Sequence, residues 1–424
     1  STDIFIKDYS IEMRQLQEDV LNGTIPEEEY IEKMRGFDQW KQGDIIYQKD
    51  LAETLKRIAK KGRDGFYKGK TADLIVNEMR ANNGLISHKD LEQYDSVYRD
   101  PIIGNYRGYT IASMGPPSSG GPLIVQMLNM LENFDVSSME RNSTQFVHML
   151  TEIQRLAYAD RAIHLGDPDF YPSPIPMLVS KEYAKKRLEL VSMDKATPSG
   201  EIAAGTTIPE SMETTHYSAM DKFGNTVGIT TTINLSYGNK KIVDGAGFLL
   251  NNEMDDFATS PGVQNAFGLI GYEANSIKPA KRPLSSMSPT IVLDPEGNSL
   301  MTVGAAGGSR IITAVLQVII SVVDHNLDVQ DAINLGRTHS QWIPDVIRYE
   351  GASNLNEEFN EFLPSLSANQ IDELKKLNHK FEDGNVESGN YFLARAHGIM
   401  YKDGQFYTGV DWRGNGEISD GITY

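Results

Sequence analysis

Cysteine is absent from all 424 residues. That absence excludes disulfide bonds, thiolate metal sites and a cysteine nucleophile. Basic residues are also sparse: 40 Lys and Arg stand against 58 Asp and Glu, a formal charge of −18, with no Lys/Arg stripe. A surface of that sign repels phosphate backbones and anionic lipid, so neither nucleic acid nor a membrane is an expected partner. No apolar run approaches the ~20 residues that a membrane-spanning helix needs. His-Glu-x-x-His, Gly-x-Gly-x-x-Gly and the phosphate-cradling Gly-x-x-x-x-Gly-Lys-Ser/Thr loop are all missing, so no metal or organic cofactor is expected. An initiating Met and a signal peptide are missing too, which reads as a trimmed chain or one that begins mid-protein.

What is present is ordinary globular material, 40% hydrophobic and 23% charged, enough for one large core or two to three smaller ones. Met13, Leu16 and Val20 recur at helical spacing in the polar stretch 1–35. "DLAETLKRIAKKG", 50–62, predicts an amphipathic helix with Leu51, Leu55, Ile58 and Ala59 as its apolar stripe and Gly62 as its stop. Further helices are expected over 70–84, 122–133, 143–163 and, strongly apolar, 309–326. "YRGYTIASMGPPSSGG", 106–121, reads as a strand running into a Gly/Pro/Ser turn, and 194–213 as a linker. "DKFGN" at 221, "DPEGN" at 294 and "KDGQ" at 402 mark three hairpins. Strands apolar on both faces, flanked by apolar helices, imply an α+β fold layered α over β over β over α.

The candidate chemistry starts in "SMETTHYSAMDKFGNTVGITTTIN", 211–234. Alternate residues of a strand share a face, so Thr214, His216 and Ser218 point one way. On the returning strand Val227, Ile229 and Ile233 are expected to face the core, with Thr230, Thr232 and Asn234 opposite. The hairpin then brings Thr214 near Thr232 and Asn234, although the β-propensity of Thr explains these residues equally well. In "GFLLNNEMDDF" Glu253 and Asp256 stand three apart, on one face of a helical turn. Such a pair suits a cation between its carboxylates, such as a substrate ammonium, or else a solvated acidic turn. In "KRPLSSMSPT" the hydroxyls of Ser285 and Ser286 suit a carboxylate, or simply cap a turn. In "VGAAGGSRIITAVL" Gly307 and Gly308 open an apolar helix, whose first amides lack intrahelical acceptors and can approach an oxyanion. His148, on an apolar helix face, reads as a core residue, and "SMDK" at 192 lacks the companion motifs of a serine β-lactamase.

In this order, "TTHYS", "DKFGN", "LLNNEMDDF", "KRPLSSMSPTI", "GGSRII", "RTHSQWIPD" and "DWRGNGEISDGITY" resemble the γ-glutamyltranspeptidase family of N-terminal-nucleophile hydrolases. Upstream, "DLAETLKRIAKKGRDGFYKGK", "GPPSSGG" and "YADRAIHLGDPDF" look like that family's large subunit, so the likeness runs from about residue 40 to the end. The resemblance implies a four-layer αββα sandwich in which 1–213 is the C-terminal part of the large subunit and 214–424 the small one, both sharing one core. It implies self-cleavage between Glu213 and Thr214, leaving a heterodimer whose Thr214 Oγ is the nucleophile and whose freed α-amine is the base. Thr232 would hold that hydroxyl, Asn234 would contact the γ-glutamyl head, and Gly307 and Gly308 would supply oxyanion amides. Glu253 and Asp256 would take the α-ammonium, and Ser285 and Ser286 the α-carboxylate.

The implied activity is γ-glutamyl transfer from glutathione to water or an acceptor amino acid, in the periplasm or outside the cell. A relative acting on poly-γ-glutamate or cephalosporin-type acyl groups, or an uncleaved silent scaffold, is the alternative. The loop 258–280 resembles a substrate lid, with Phe267 where many members have Tyr. The family's carboxylate-pairing Arg belongs to a segment that has no match in this sequence.

Overall fold

The computed structural model describes residues 45–202, 214–258, 272–350, 365–382 and 393–413, with scattered positions between 15 and 43. Glu213, Phe267, Met13 and the sequence after Arg413 lie outside the described residues, and with them one side of the expected scissile bond, the gating aromatic and most of the terminal motif.

Two turns share one chemistry. Asp221 Oδ1 accepts the Asn225 amide at 3.0 Å, and Asp294 Oδ1 accepts the Asn298 amide at 2.7 Å. Gly224 and Gly297 complete them at φ of +84° and +90°, a region that side chains resist. The first turn joins β3 (Thr215–Met220) to β4 (Thr226–Thr231), and the second joins β5 (Thr290–Leu293) to β6 (Ser299–Ala306). Earlier in the chain, β1 (Ile102–Tyr106) turns through Arg107 and Gly108 into β2 (Tyr109–Ser113). Later come the short pair β7 (Thr338–His339) and β8 (Arg348–Tyr349), then the hairpin β9 (Arg395–Lys402) to β10 (Gln405–Gly409). All three turn motifs therefore make hairpins. The main sheet runs β1-β2-β5-β6-β9-β10, antiparallel throughout.

Strand β6 is covered on both faces, and the period of two sorts its residues. Met301, Val303 and Ala305 join the main core with three helices, α1 (Gly120–Leu131), α2 (Thr144–His164) and α3 (Arg310–Val323). Helix α1 packs on β1 and β2, α3 on β6 and β9, and α2 behind α1. On the other face the β3–β4 hairpin lies over β6 and β9. Helix, sheet and sheet are thus stacked as the sequence implied, and elements from both sides of residue 214 share the core. No helix among the described residues is long and apolar enough to cross a membrane.

The hairpin corrects one expectation. Val227 and Ile229 are 47% and 37% exposed, while His216 is buried. The inward face carries His216, Ser218, Gly228 and Thr230, with His216 opposite Thr230 in the register. Beneath it lie Gly304 and Thr302, which leave no room for branched chains. A Cβ on Gly304 would stand 2.2 Å from His216 Nδ1, and one on Gly228 would stand 2.8 Å from Thr302 Oγ1. The polar side turns inward because only small or hydrogen-bonding groups fit there.

The compact unit described so far comprises Tyr98–Ser236 and Asn252–Tyr424. A second unit, Ser1–Val97 with Tyr237–Asn251, has its own small core of Ala72, Ile75, Val76, Leu91, Val243 and Ala246. Its helix Lys49–Lys61 departs from the expected stripe. Leu55 is 55% exposed, and the buried residue is Thr54, whose hydroxyl donates to the Ala246 carbonyl at 2.8 Å. A hydrogen bond, not the leucine stripe, turns this helix toward its core.

Gly304→Ala should unseat the hairpin, because His216 is held on both ring nitrogens and cannot yield cheaply. The expected loss is about 1–3 kcal/mol of stability. Gly200→Ala, where a Cβ meets nothing within 4 Å, should stay within about 0.5 kcal/mol of the parent. Chemical denaturation of the two variants side by side checks this.

Candidate active site

Thr214 stands immediately before β3, on the inward side with His216. Its Oγ donates to Thr232 Oγ at 3.3 Å, and Thr232 Oγ also accepts the Asn234 amide at 2.9 Å. Asn234 is buried at φ +74°, a left-handed conformation that Asn tolerates better than most residues. Its side-chain nitrogen donates to the Asn252 carbonyl at 3.2 Å and toward Asp256 Oδ1 at 3.4 Å. Its Oδ1 accepts no hydrogen bond. A buried acceptor left over in this way calls for a donor from elsewhere.

Glu253 and Asp256 open and close a single 3₁₀ turn, in which residues three apart eclipse. Both carboxyls therefore face the same cleft. Burial pushes Glu253 up to about 7. Burial, reinforced by the charge of Glu253, pushes Asp256 up to about 8, while Arg161 pulls the other way.

Ser285 and Ser286 occupy a loop that is sewn to "GPPSSGG". The Ser285 amide donates to the Pro117 carbonyl at 2.9 Å, and the Ser285 carbonyl accepts from both the amide and the hydroxyl of Ser119, at 2.9 and 2.8 Å. The Ser118 hydroxyl adds a bond to the Met287 carbonyl at 2.6 Å. Gly307 and Gly308, at φ +138° and +58°, carry β6 into α3. A Cβ on Gly307 would come within 2.8 Å of Ala394, so this turn has no space for a side chain. The start of α3 is anchored in its turn, since Tyr158 donates to the Ser309 carbonyl at 2.5 Å and Ser309 to Gln341 at 2.6 Å.

Thr214, Thr232, Asn234, Glu253, Asp256, Ser285, Ser286 and Gly308 all line one cleft, with Leu284, Met287 and Ile311. Of the nine site residues named from the sequence, only Gly307 is not on that wall, and it is the residue next to Gly308. Ser118, Ser119 and Arg161 support this wall without a role that their motifs, "GPPSSGG" and "YADRAIHLGDPDF", announce. One available signal was the charge carried by "RLAYADRAI", with Arg155, Asp160 and Arg161 set among apolar residues.

His216 is not a base in waiting. Its nitrogens meet Thr230 at 2.8 Å and Ser218 at 3.1 Å, and burial, with some help from His397, lowers it to about 4. Elsewhere in the core His148, Glu152 and His379 bring ligand-type atoms within 4.8 Å of one another, a grouping that spacing alone did not reveal. His148 bonds His379 at 2.6 Å and the Ser192 carbonyl at 2.8 Å. The carboxylate of Glu152 is taken by Arg155 and the Thr197 amide. These bonds fit a packed core, as expected of His148.

The family model described as Gamma-glutamyltranspeptidase matches residues 13–421. A glutathione hydrolase proenzyme of Escherichia coli is 49% identical over 311 residues, which is 73% of this chain and 53% of that protein. A glutathione hydrolase proenzyme of Pseudomonas aeruginosa is 40% identical over 383 residues, 90% of this chain and 65% of that protein. Among solved structures, a cephalosporin acylase from Bacillus halodurans superimposes with a TM-score of 0.72 at 20% identity, covering 92% of this chain and 66% of its own. That likeness bears on the fold. The chain spans about half to two thirds of the length of the curated relatives it matches.

The carboxyl pair generates a pH prediction. Both groups keep their protons to higher pH in the fold than the ~4 of an unfolded carboxyl. Their contribution to ligand-free stability is therefore fully present below about pH 4 and is lost as pH rises through about 7 and 8. An ammonium ligand needs the ionised pair, so its affinity should climb by up to about tenfold per pH unit for each carboxyl still protonated, more steeply below about pH 7 than between 7 and 8. Calorimetry in two buffers of different ionisation enthalpy should register proton release on binding. Asp256→Asn should flatten the rise.

Proposed function

Because the chain belongs to the gamma-glutamyltranspeptidase family, we propose that the protein is a self-processing γ-glutamyl hydrolase and transferase with glutathione as its donor. One observation carries this reading: a single cleft holds both a threonine hydroxyl and a cation-seeking set, namely two carboxyls and the unpaired Asn234 carbonyl. A γ-glutamyl head has an ammonium to place among those acceptors. A glutaryl-type acyl group has none, so the cleft chemistry favours γ-glutamyl amides over cephalosporin-type substrates.

The first step is processing. Thr214 Oγ attacks the carbonyl of residue 213, the peptide bond becomes an ester, and water hydrolyses it. The α-amine of Thr214 is released, and the two pieces remain together as a heterodimer around their shared core. The amine has a reference pKa of about 7.7–8.0, so a useful fraction is neutral at working pH. In turnover it takes the proton from Thr214 Oγ, directly or through a water, while Thr232 keeps the hydroxyl oriented. The oxygen attacks the γ-carbonyl, and the resulting oxyanion is met by amides of Gly307 and Gly308. Each such donor is typically worth about 3–4 kcal/mol of barrier. Collapse expels the leaving amine with the proton, and water or the amine of an acceptor amino acid then cleaves the ester on Thr214. A periplasmic or secreted location is part of the same reading and rests on family likeness.

The test replaces Thr214. Thr214→Ala should give a single uncleaved band on a denaturing gel and lower γ-glutamyl anilide turnover by about 10³-fold or more. Thr214→Ser, which keeps the hydroxyl, should still process and turn over. The native enzyme should prefer glutathione to a glutaryl amide. A Thr214→Ala protein that cleaves itself and remains active would contradict the proposal.

A further inference from the structure

Beneath the cleft lies a buried arginine that the proposed chemistry does not use. Arg161, in the last turn of α2, is 3% exposed. Its Nε donates to Ser119 Oγ at 2.8 Å, and an Nη donates to Ser286 Oγ at 3.3 Å. Among the described residues it makes no ion pair. Burial lowers it only to about 10, so it stays charged at neutral pH. A buried cation whose hydrogen-bond partners are neutral hydroxyls is costly unless an anion completes its surroundings.

The hydroxyls show where that anion belongs. A serine hydroxyl has one hydrogen to give. Ser119 accepts from Arg161 and spends its hydrogen on the Ser285 carbonyl. Ser285 Oγ accepts the Met287 amide at 3.0 Å and faces the Ser118 hydroxyl at 3.3 Å. Ser286 Oγ accepts from Arg161 and lines the cleft, which leaves its hydrogen to point at whatever lies there. A hydroxyl polarised by a guanidinium behind it is a strong donor to a carboxylate in front of it.

Resting on the γ-glutamyl reading, we infer that Arg161 is a specificity-determining positioning residue. It acts through Ser286 to select donors that carry a free α-carboxylate beside the α-ammonium. It does not touch the substrate. Its charge reaches the carboxylate through one hydroxyl, and through Ser119 it also fixes the backbone of the loop that presents that hydroxyl. Its charge is also felt by Asp256, so the same cation serves both ends of an amino-acid head: attracting the carboxylate and favouring the ionised partner of the ammonium.

The experiment compares γ-glutamyl anilide with 4-aminobutyryl anilide, which keeps the ammonium but lacks the carboxylate. Arg161→Met should raise KM for the first about 10- to 100-fold with kcat changed only a few-fold, the range for losing a charge-assisted hydrogen bond. The already poor turnover of the second should move by less than about threefold. Arg161→Lys should restore part of the discrimination, and Ser286→Ala should reproduce the Arg161→Met pattern. Equal losses on both donors, or no change on either, would overturn the proposal.

A readout independent of turnover is the binding of L-glutamate against 4-aminobutyrate to native and variant proteins. If the native protein binds both but turns over no γ-glutamyl donor, the reading of the reaction fails. The binding ratio would still decide the role of Arg161, with an unchanged ratio in Arg161→Met counting against it. Should Arg161→Met not fold, Ser286→Ala carries the same ratio test.

Discussion

An imidazole resting where a glycine has no side chain sets the geometry of the whole cleft. His216 can lie on β6 only because Gly304 is bare, and both ring nitrogens are tied to its own hairpin. The hairpin is thereby fixed on the sheet, and Thr214, one residue before β3, is fixed with it. Gly308 lies four residues along the chain from Gly304. The hydroxyl and the amides that are proposed to act on one carbonyl are therefore both referred to β6. The neutral imidazole adds no charge that would compete with the amine of a freed Thr214.

The rest of the wall is brought in by long-range stitching. "GPPSSGG" clamps the Ser285–Ser286 loop from one side, and Asp167, fully buried, accepts the Arg282 amide at 2.8 Å from the other. Behind the Gly307 turn, Arg413 bridges Glu350 and Asp411 at 2.6 and 3.0 Å, while Arg337 bonds Asp411 and the carbonyls of Leu393 and Ala394. Despite burial, the two guanidiniums hold Asp411 down to about 2. This cluster presses Ala394 against Gly307, which explains why the turn needs a glycine. Removing one member would leave a buried charge without compensation, the costly way to break such a network.

Local chemistry was legible in the sequence, and long-range facing was not. The Asp-x-x-Gly-Asn turns announced their hairpins because the aspartate captures its own chain four residues on. The Glu253–Asp256 spacing announced a shared face, which a 3₁₀ turn supplies as well as an α-helix. The orientation of β3–β4 departs from the expected one because the rule that apolar side chains point inward ignores what lies underneath. Gly304 and Thr302 accept a histidine and refuse branched chains. The stripe of Lys49–Lys61 failed for a related reason, since the Thr54 hydroxyl outweighed Leu55. Arg161 and Ser286 are 125 positions apart, and no local pattern could have joined them.

The central claim is that Thr214 carries the γ-glutamyl group during turnover. The most direct measurement is mass spectrometry of the protein quenched within one turnover of mixing with a γ-glutamyl donor. The account predicts a fragment beginning at Thr214, heavier by one γ-glutamyl group, with the added mass on the N-terminal residue and lost after water or an acceptor amine is allowed to react. Turnover with that fragment unmodified at every quench time, or with the group on another side chain, would contradict it.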